Sequence, residues 1–219
     1  MLLLSALPES PAAISSTDQA ATVLDLLMKG GIIMIPIVLL SLISFYIFIE
    51  RIAYIRRTTL IEDKLVTSIT TELRSGNSKN ALLHAQNNQA SVGRILESGI
   101  EMAGKPLSEV ERSIESTTNL EITKMEKNTG YLGIIAGVAP MLGFIGTISG
   151  VIKIFYNISL ADNISIGIIA GGLYQKMICS GAGLIVGVLA YAAYHYLQIK
   201  IDRYTISLQE SLIQFLKAF

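Results

Sequence analysis

Three uncharged stretches of this chain are each long enough to cross a lipid bilayer, and they restrict the fold more than any other feature. They run from Gly31 to Ile49, from Asn128 to Ile152 and from Met177 to Ile199. At 1.5 Å per helical residue they measure roughly 28 to 39 Å, against a hydrocarbon core of about 30 Å. The sequence therefore predicts an all-α integral membrane protein with three transmembrane helices.

The basic residues near the ends of these spans predict the orientation. Seven lie on one side of the predicted membrane and three on the other, and cytoplasmic loops carry the excess of Lys and Arg. The central loop and the C-terminus are therefore expected in the cytoplasm, with the N-terminus outside. The seven are Arg51, Arg56, Arg57, Lys124, Lys127, Lys200 and Arg203, and the three are Lys29, Lys153 and Lys176.

The long central loop is predicted to be a helical domain. Ser108-x-x-Glu111 matches a capping box, and no helix breaker follows it until Gly130. A helix is therefore expected to run without interruption from about residue 108 into the second span, with an apolar stripe of Val110, Ile114, Ile122 and Met125. The predicted segments are a periplasmic tail with a short amphipathic helix (1–29), the first span (30–50), a cytoplasmic helical domain (51–128), the second span (129–153), a periplasmic loop (154–166), the third span (167–199) and a cytoplasmic C-terminal helix (200–219).

Composition excludes several functional classes. The 17 basic and 17 acidic residues give no net charge, so nothing favours nucleic acid as a partner. The chain has one cysteine, Cys179, and two histidines far apart in sequence, which cannot build a usual metal site. The spans contain no pair of aspartates and no Ser–His dyad at matched depth. The sequence therefore predicts neither an enzyme nor a cofactor or metal site.

Small and polar residues form one face on each of the last two spans. They recur at three- and four-residue steps, which places them on one side of a helix. The second span contributes Pro140, Gly143, Thr147 and Gly150, and the third contributes Gly172, Lys176, Ser180, Gly183 and Gly187. Thr147 lies about 9 Å inside Lys153, and Ser180 about 6 Å inside Lys176, so the two hydroxyls are expected at nearly the same depth.

Two roles for these faces stay open from spacing alone. Small residues let helices pack closely, and hydroxyls can bond to their own helix, but the same geometry can line a polar pore. Between Lys127 and Asp202 the only carboxylate is Asp162, in the connection between the spans. Because a proton path normally needs an ionisable group within the membrane, another chain would have to supply the titrating carboxylate. His195, among tyrosines, is either part of an aromatic belt or a proton-handling group.

Two segments resemble a known family. "APMLGFIGTISGVIKIF" is similar to the second-span signature of the ExbB/TolQ/MotA proton-channel family, and "GLYQKMICSGAGLIVGVLAYAAYHYL" to its third-span signature. The three-span plan fits the ExbB/TolQ branch, nearest to ExbB of the TonB system. The resemblance implies a homopentamer in the inner membrane of a Gram-negative bacterium. It also implies an ExbD/TolR-like single-span partner that brings a membrane aspartate, and a TonB- or TolA-like energy transducer.

The resemblance also implies roles for individual residues. Thr147 matches the pore threonine of the second span, Ser180 stands where the family has a third-span threonine, and Gln175 stands where many relatives have a glutamate. Lys176 is then left without that acidic neighbour and is expected to extend toward the outer surface. The candidate pore and proton-path residues are Thr147, Ser180, Gln175, Pro140, Gly143, Gly150 and Gly183, followed by Lys176 and His195. The expected function is an ExbB-like channel subunit; the alternatives are a TolQ-like subunit and a structural membrane scaffold.

Overall fold

The chain folds into helices throughout the part that the structure describes. The computed structural model describes residues 31–59, 63–160 and 166–217, without the side chains of Asp63, Ile168 and Gln175. Helices make up 89% of these residues, and none of them is in a strand. The helices are α1 (Met34–Thr58), α2 (Asp63–Arg74), α3 (Ser78–Gln86), α4 (Ser91–Ile100), α5 (Leu107–Glu126), α6 (Thr129–Leu160) and α7 (Ile166–Leu216).

Among the described residues, three helical stretches are long and apolar enough to cross a membrane, which confirms the predicted fold class. They are α1, the stretch Leu107–Leu160 that joins α5 to α6, and most of α7. α1 continues past its predicted end at residue 50, and Pro36 lies in its first turn, where the missing backbone N–H costs little. The 51 residues of α7 reach about 77 Å, so the third span and the C-terminal helix are one rod.

The spans form an antiparallel hairpin of α6 and α7 with α1 packed along one side. Met34 and Ile37 of α1 share a buried cluster with Cys179 of α7. Toward the other end of the spans, Ile47 of α1 is buried in one cluster with Leu132 of α6. α1 therefore covers one side of the hairpin over most of its length and leaves the opposite side, which we call the open side, uncovered within the chain.

The shorter helices fold onto one end of this hairpin, which we call the folded end. It lies beyond Lys127 and Lys200, and the other end, near Lys153 and Lys176, we call the connection end. α2 to α5 bury an apolar core together with the last turns of α1 and the end of α7. Its fully buried members include Ile69, Leu96, Val110, Leu208 and Phe215. The predicted helical domain is thus built on the extensions of the spans themselves.

A two-residue break, which the sequence pattern did not indicate, interrupts the long stretch between the helical domain and the second span. α5 ends at Glu126, and Asn128 has a φ of 66°. Asparagine is one of the few residues that adopt this left-handed conformation readily. The Thr129 hydroxyl donates to the Glu126 carbonyl at 2.7 Å and bridges the break. The predicted continuity from α5 into α6 is therefore a succession of two helices and not a single unbroken one.

Two further predicted boundaries differ from the structure. The connection expected over residues 154–166 is helical as far as Leu160, because its apolar residues continue the helix and Ser159 bonds back to the Tyr156 carbonyl at 2.7 Å. The remaining residues 161–165 and the predicted tail 1–29 lie outside the described part. α5 begins at Leu107, one residue before the expected cap, and its first turn has no side-chain cap bond.

The break at Asn128 gives a first testable prediction. A β-branched residue there would be forced into the left-handed region at a cost of about 1–2 kcal/mol, whereas glycine adopts it freely. We expect Asn128→Val to lower the midpoint of thermal unfolding of the detergent-solubilised protein, measured by circular dichroism, and Asn128→Gly to leave it unchanged. Equal midpoints for the two variants would mean that the break can straighten at no cost.

Candidate functional site

The contact between α6 and α7 is built from glycines that oppose backbone atoms of the other helix. A methyl group placed on Gly183 would lie 2.6 Å from the Ala139 carbonyl oxygen and 3.1 Å from the Cα of Gly143. A methyl group on Gly143 would lie 3.1 Å from the Cα of Ser180. Distances under 3.0 Å do not occur for real side chains, so only glycine at position 183 allows the two helices to approach this closely.

Pro140 takes part in the same contact. A methyl group on Gly187 would lie 2.4 Å from Cγ of the Pro140 ring and 3.0 Å from the Ala136 carbonyl oxygen. Because proline has no N–H, the Ala136 carbonyl receives no hydrogen bond from position 140 of its own helix. The proline thus fills the space that Gly187 leaves and turns a carbonyl without its usual partner toward α7.

Lys176 lies along α6 toward the connection end. Its aliphatic carbons occupy the space beside Gly150, where an added methyl group would be 2.1 Å from Cγ of the lysine. The ammonium nitrogen is 3.6 Å from the position of a methyl group on Gly31, just before α1 begins. The apolar stem is therefore packed between the helices, and the ammonium group lies beside the residue that precedes α1.

The Thr147 and Ser180 hydroxyls lie near each other in depth. Gly143, one helical turn from Thr147, opposes Ser180, so the two hydroxyls are within about one turn of the same level. Both residues are half-buried in the single chain. The Thr147 hydroxyl donates to the Phe144 carbonyl at 2.7 Å. Its one proton is therefore used within the helix, and its oxygen remains able to accept a hydrogen bond.

Both residues point away from α1. A methyl group on Gly146 would lie 2.8 Å from the Cys179 sulfur and 3.5 Å from Ile33, just before α1, so positions 146 and 179 mark the side that α1 covers. Consecutive helical residues point about 100° apart. Thr147 and Ser180, each one position further along, are therefore turned toward the open side of the hairpin.

The predicted site residues thus separate into two groups. Gly143, Gly150 and Gly183 are buried between α6 and α7 of the same chain, so they serve close packing, whereas Thr147 and Ser180 lie at the edge of that contact, facing the open side. Pro140 is half-buried. The side chain of Gln175 lies outside the described part, so its position is not part of this grouping.

His195 belongs to an aromatic cluster closer to the folded end. The Tyr191 and His195 ring centroids are 4.3 Å apart in an edge-to-face arrangement, and the Tyr194 and His195 centroids are 5.2 Å apart. Gln198 donates to the Tyr194 hydroxyl at 3.2 Å. A methyl group on Gly133 of α6 would lie 3.9 Å from the Tyr194 ring, so the cluster is packed on the hairpin.

A buried ionic network at the folded end was missed by the sequence analysis. The Glu121 side chain is 2% exposed and contacts the Arg94 guanidinium at 2.5 Å and the Lys124 ammonium at 2.7 Å. Arg51, at the end of the first span, donates to the Lys124 carbonyl at 3.2 Å. The available signal was the apolar stripe of α5: Glu121 is buried in it, whereas Ile122, which we assigned to it, is only partly buried.

Burial and hydrogen bonding act in opposite directions on the Glu121 carboxyl. Burial by itself raises its pKa, but the hydrogen bonds and charges of Arg94 and Lys124 outweigh this, and the net pKa is lowered from its ordinary value of 4.5. The network therefore holds an ionised carboxylate outside the apolar stretch.

A second set of hydrogen bonds joins nearby helix ends. Ser91 donates to the Thr58 carbonyl at 2.9 Å and contacts the Tyr204 hydroxyl.

Comparison with known sequences agrees with this architecture. A family model described as the MotA/TolQ/ExbB proton channel family matches residues 87–210, from α4 to near the end of α7. An ExbB homolog for biopolymer transport in Methanothermobacter thermautotrophicus is 29% identical over 182 residues, which cover 83% of this chain and 64% of that protein. This chain thus spans somewhat less than two thirds of that relative.

In two further relatives, the match to this chain covers a larger share of the relative's length. A biopolymer transport protein of Synechocystis, described as ExbB-like, is 25% identical over 182 residues, or 82% of this chain and 72% of that protein. The Tol-Pal system protein TolQ of Haemophilus influenzae is 26% identical over 196 residues, or 82% of this chain and 85% of that protein. With the family model matching both the second and third spans, the chain belongs to the MotA/TolQ/ExbB proton channel family, whose members are channel or transport-energy proteins and not enzymes.

Proposed function

We propose that this chain is the ExbB-like subunit of an inner-membrane proton-channel motor of a Gram-negative bacterium. An ExbD-like single-span partner supplies a membrane aspartate, and the complex couples the proton-motive force to outer-membrane transport through a TonB-like protein. The working assembly is a homopentamer of this chain around the partner's helices. The open side of each α6–α7 hairpin, with Thr147 and Ser180, faces the partner.

One observation carries this proposal: the spans offer hydroxyls on the open side but no carboxylate. From Lys127 to Ile201 the only acidic residue is Asp162, which lies between the two spans. Thr147 has already donated its proton to the Phe144 carbonyl, so its oxygen accepts hydrogen bonds. A protonated carboxyl has the O–H that such an oxygen accepts, whereas an ionised carboxylate has none. The site thus favours the neutral, protonated form of the partner's carboxyl group at the level of Thr147.

The orientation within this proposal follows the basic residues. Of the basic residues near the span ends, seven lie on the side of the folded end in sequence and three on the other side, which favours a cytoplasmic folded end and a periplasmic N-terminus. The acidic partner helix would then meet the hydroxyl pair in the half of the membrane nearer the periplasm. Cysteine-labelling of the two ends in intact cells and in inverted vesicles tests the orientation.

The proposed function is tested by proton flux into liposomes. We expect flux when the chain is co-reconstituted with its single-span partner, and none when the partner's membrane aspartate is changed to asparagine. Thr147→Val should lower the flux roughly tenfold, which corresponds to one hydrogen bond of about 1.4 kcal/mol in the rate-limiting state. A pH-sensitive dye inside the liposomes reports the rate.

Thr123→Val is the matched control for that substitution. Thr123 also bonds back to its own helix, at 2.8 Å to the Asn119 carbonyl, but it is exposed on α5 outside the apolar stretch. Its replacement should leave the flux unchanged. Flux from the chain without any partner would mean that it contains a complete path of its own, with Lys176 and His195 as the first residues to test.

A structural scaffold is the second candidate, favoured by the burial of Gly143, Gly150 and Gly183 within one chain. It predicts that the intact complex shows no flux in any preparation. The choice between an ExbB-like and a TolQ-like role is tested by co-purification with TonB-like or TolA-like transducers from the native host. Capture of a TolA-like protein in place of a TonB-like one would move the assignment to the Tol-Pal system.

A further inference from the structure

The polar cluster around His195 lies on the same side of α7 as Ser180. Tyr191 is 11 residues after Ser180 and Gln198 is 18 residues after it, which correspond to about three and five helical turns. His195, 15 residues after Ser180, lies about 60° further around the axis of α7 than Ser180, in the direction away from α1. The cluster therefore continues the line of the open side, roughly 22 Å closer to the folded end.

The neighbouring Tyr196 shows the contrast with an ordinary interfacial tyrosine. Its ring packs edge-on against Phe48 of α1, with centroids 6.3 Å apart, and the Lys200 ammonium lies 5.7 Å from its centre. Tyr196 thus belongs to the side that α1 occupies, as expected of an aromatic belt anchored by a basic residue. His195, one position earlier, contacts tyrosines on the other side.

The side of α6 beside the cluster is uncovered by the described part of the chain. A methyl group added to Gly137 would meet no heavy atom within 4 Å among the described residues, and at Gly133 the nearest atoms are those of the Tyr194 ring, 3.9 Å away. Leu184 and Gly187, which lie between Ser180 and the cluster, have no side-chain group that can carry a proton. A proton that leaves the hydroxyl level must therefore travel in water until it reaches the cluster.

We propose that His195, held between Tyr191 and Tyr194, is a proton-relay site at the folded end of the path lined by the open side. This inference rests on the proposed channel function and adds a second site to it, on this chain and not on the partner. The imidazole binds a proton from water at one ring nitrogen and releases the proton on the other nitrogen toward the folded end. The neutral ring is left in its other tautomer and is reset by rotation about its side-chain bonds.

The first test is proton flux of the chain co-reconstituted with its single-span partner. His195→Gln keeps hydrogen bonding but cannot carry a proton, and we expect it to lower the flux at least roughly tenfold while the complex still co-purifies. In His195→Ala, imidazole added to the buffer on the folded side should restore part of the flux. The other histidine, exposed His84 in α3, is the matched control, and His84→Gln should conduct like the unmodified protein.

A second test does not depend on conduction. In a Cys179→Ala background, His195→Cys should react with a membrane-impermeant thiol reagent added on the folded side, because the site faces water. Tyr196→Cys, one residue away on the side of α1 and lipid, should react much more slowly. If the unmodified complex does not conduct, the proposed function fails, and the labelling still decides whether His195 faces an aqueous path.

Three results would overturn the inference. One is wild-type flux in His195→Gln from a complex in which the partner's aspartate is required. Another is equal or absent labelling at positions 195 and 196, which would make His195 part of the lipid-facing belt. Loss of flux in His195→Ala without any rescue by imidazole, together with loss of the partner on purification, would likewise reduce His195 to a packing residue.

Discussion

Replacing Gly183 by alanine is expected to destabilise the α6–α7 hairpin by about 2–3 kcal/mol, whereas the same change at Gly181 should stabilise it or leave it unchanged. The new methyl group at position 183 would lie 2.6 Å from the Ala139 carbonyl oxygen and 3.1 Å from the Cα of Gly143, both backbone atoms that cannot rotate away. The helices must therefore separate along their most closely packed section, and overpacking of this kind costs about 1–3 kcal/mol or more.

Gly181 is the matched control because it lies two residues away on the same helix. A methyl group there meets nothing within 4 Å among the described residues, so the substitution brings only the greater helix propensity of alanine, up to about 1 kcal/mol. The chain has no tryptophan, so thermal unfolding in detergent is best followed by circular dichroism. Gly183→Ala should shift the midpoint down by roughly 4–12 °C relative to Gly181→Ala.

The pair also separates packing within a chain from packing between chains. Loss of oligomer in Gly181→Ala, with an unchanged unfolding midpoint, would show that a neighbouring copy or the partner helix occupies the open space beside Gly181. Equal midpoints for the two variants would contradict the close contact described for Gly183. Gly150→Ala is expected to be milder than Gly183→Ala, because the three atoms nearest to its methyl group belong to the flexible stem of Lys176 and not to the backbone.

The sequence predicted the spans because their signal is local. An uncharged run such as Asn128 to Ile152 has few alternatives to crossing a membrane as a helix. The small residues at helical spacing left close packing and a pore lining both open, and the structure packs Gly143 and Gly183 between α6 and α7. The depths of Thr147 and Ser180 in the membrane could also be compared from the sequence, since the second and third spans are antiparallel and each is bounded by lysines.

The parts that the sequence did not predict depend on contacts between distant residues. Spacing could not tell which side of the α6–α7 pair α1 covers, and only that fact separates the buried glycines from Thr147 and Ser180 at the edge. The left-handed conformation of Asn128 has only a weak local signal, because asparagine is also common in helices and loops. The burial of Glu121 could not be predicted from spacing, since its partner Arg94 is 27 residues away.

The largest effect at the folded end is expected from Glu121→Ala, which should lower the free energy of unfolding by about 2–3 kcal/mol. Removing the carboxylate leaves the partly buried Arg94 guanidinium and the Lys124 ammonium without their acceptor. Breaking a fully buried ion pair costs about 3–5 kcal/mol, and the value here is smaller because Arg94 is 39% exposed and Lys124 47%. The unfolding midpoint in detergent should fall by roughly 4–12 °C.

A pH series separates the ionic contribution of Glu121 from lost packing. The pKa of its carboxyl is lowered on folding, so the contribution is present above the ordinary value of 4.5 and is lost as the pH falls through the lowered value. The unmodified protein should therefore lose stability on acidification more steeply than Glu121→Gln, which has nothing to protonate there. Glu115→Ala removes an exposed carboxylate from the same helix and should follow the unmodified protein. Parallel curves for Glu121→Gln and the unmodified protein would mean that the network contributes by packing alone, and the two cations would then be held by other groups.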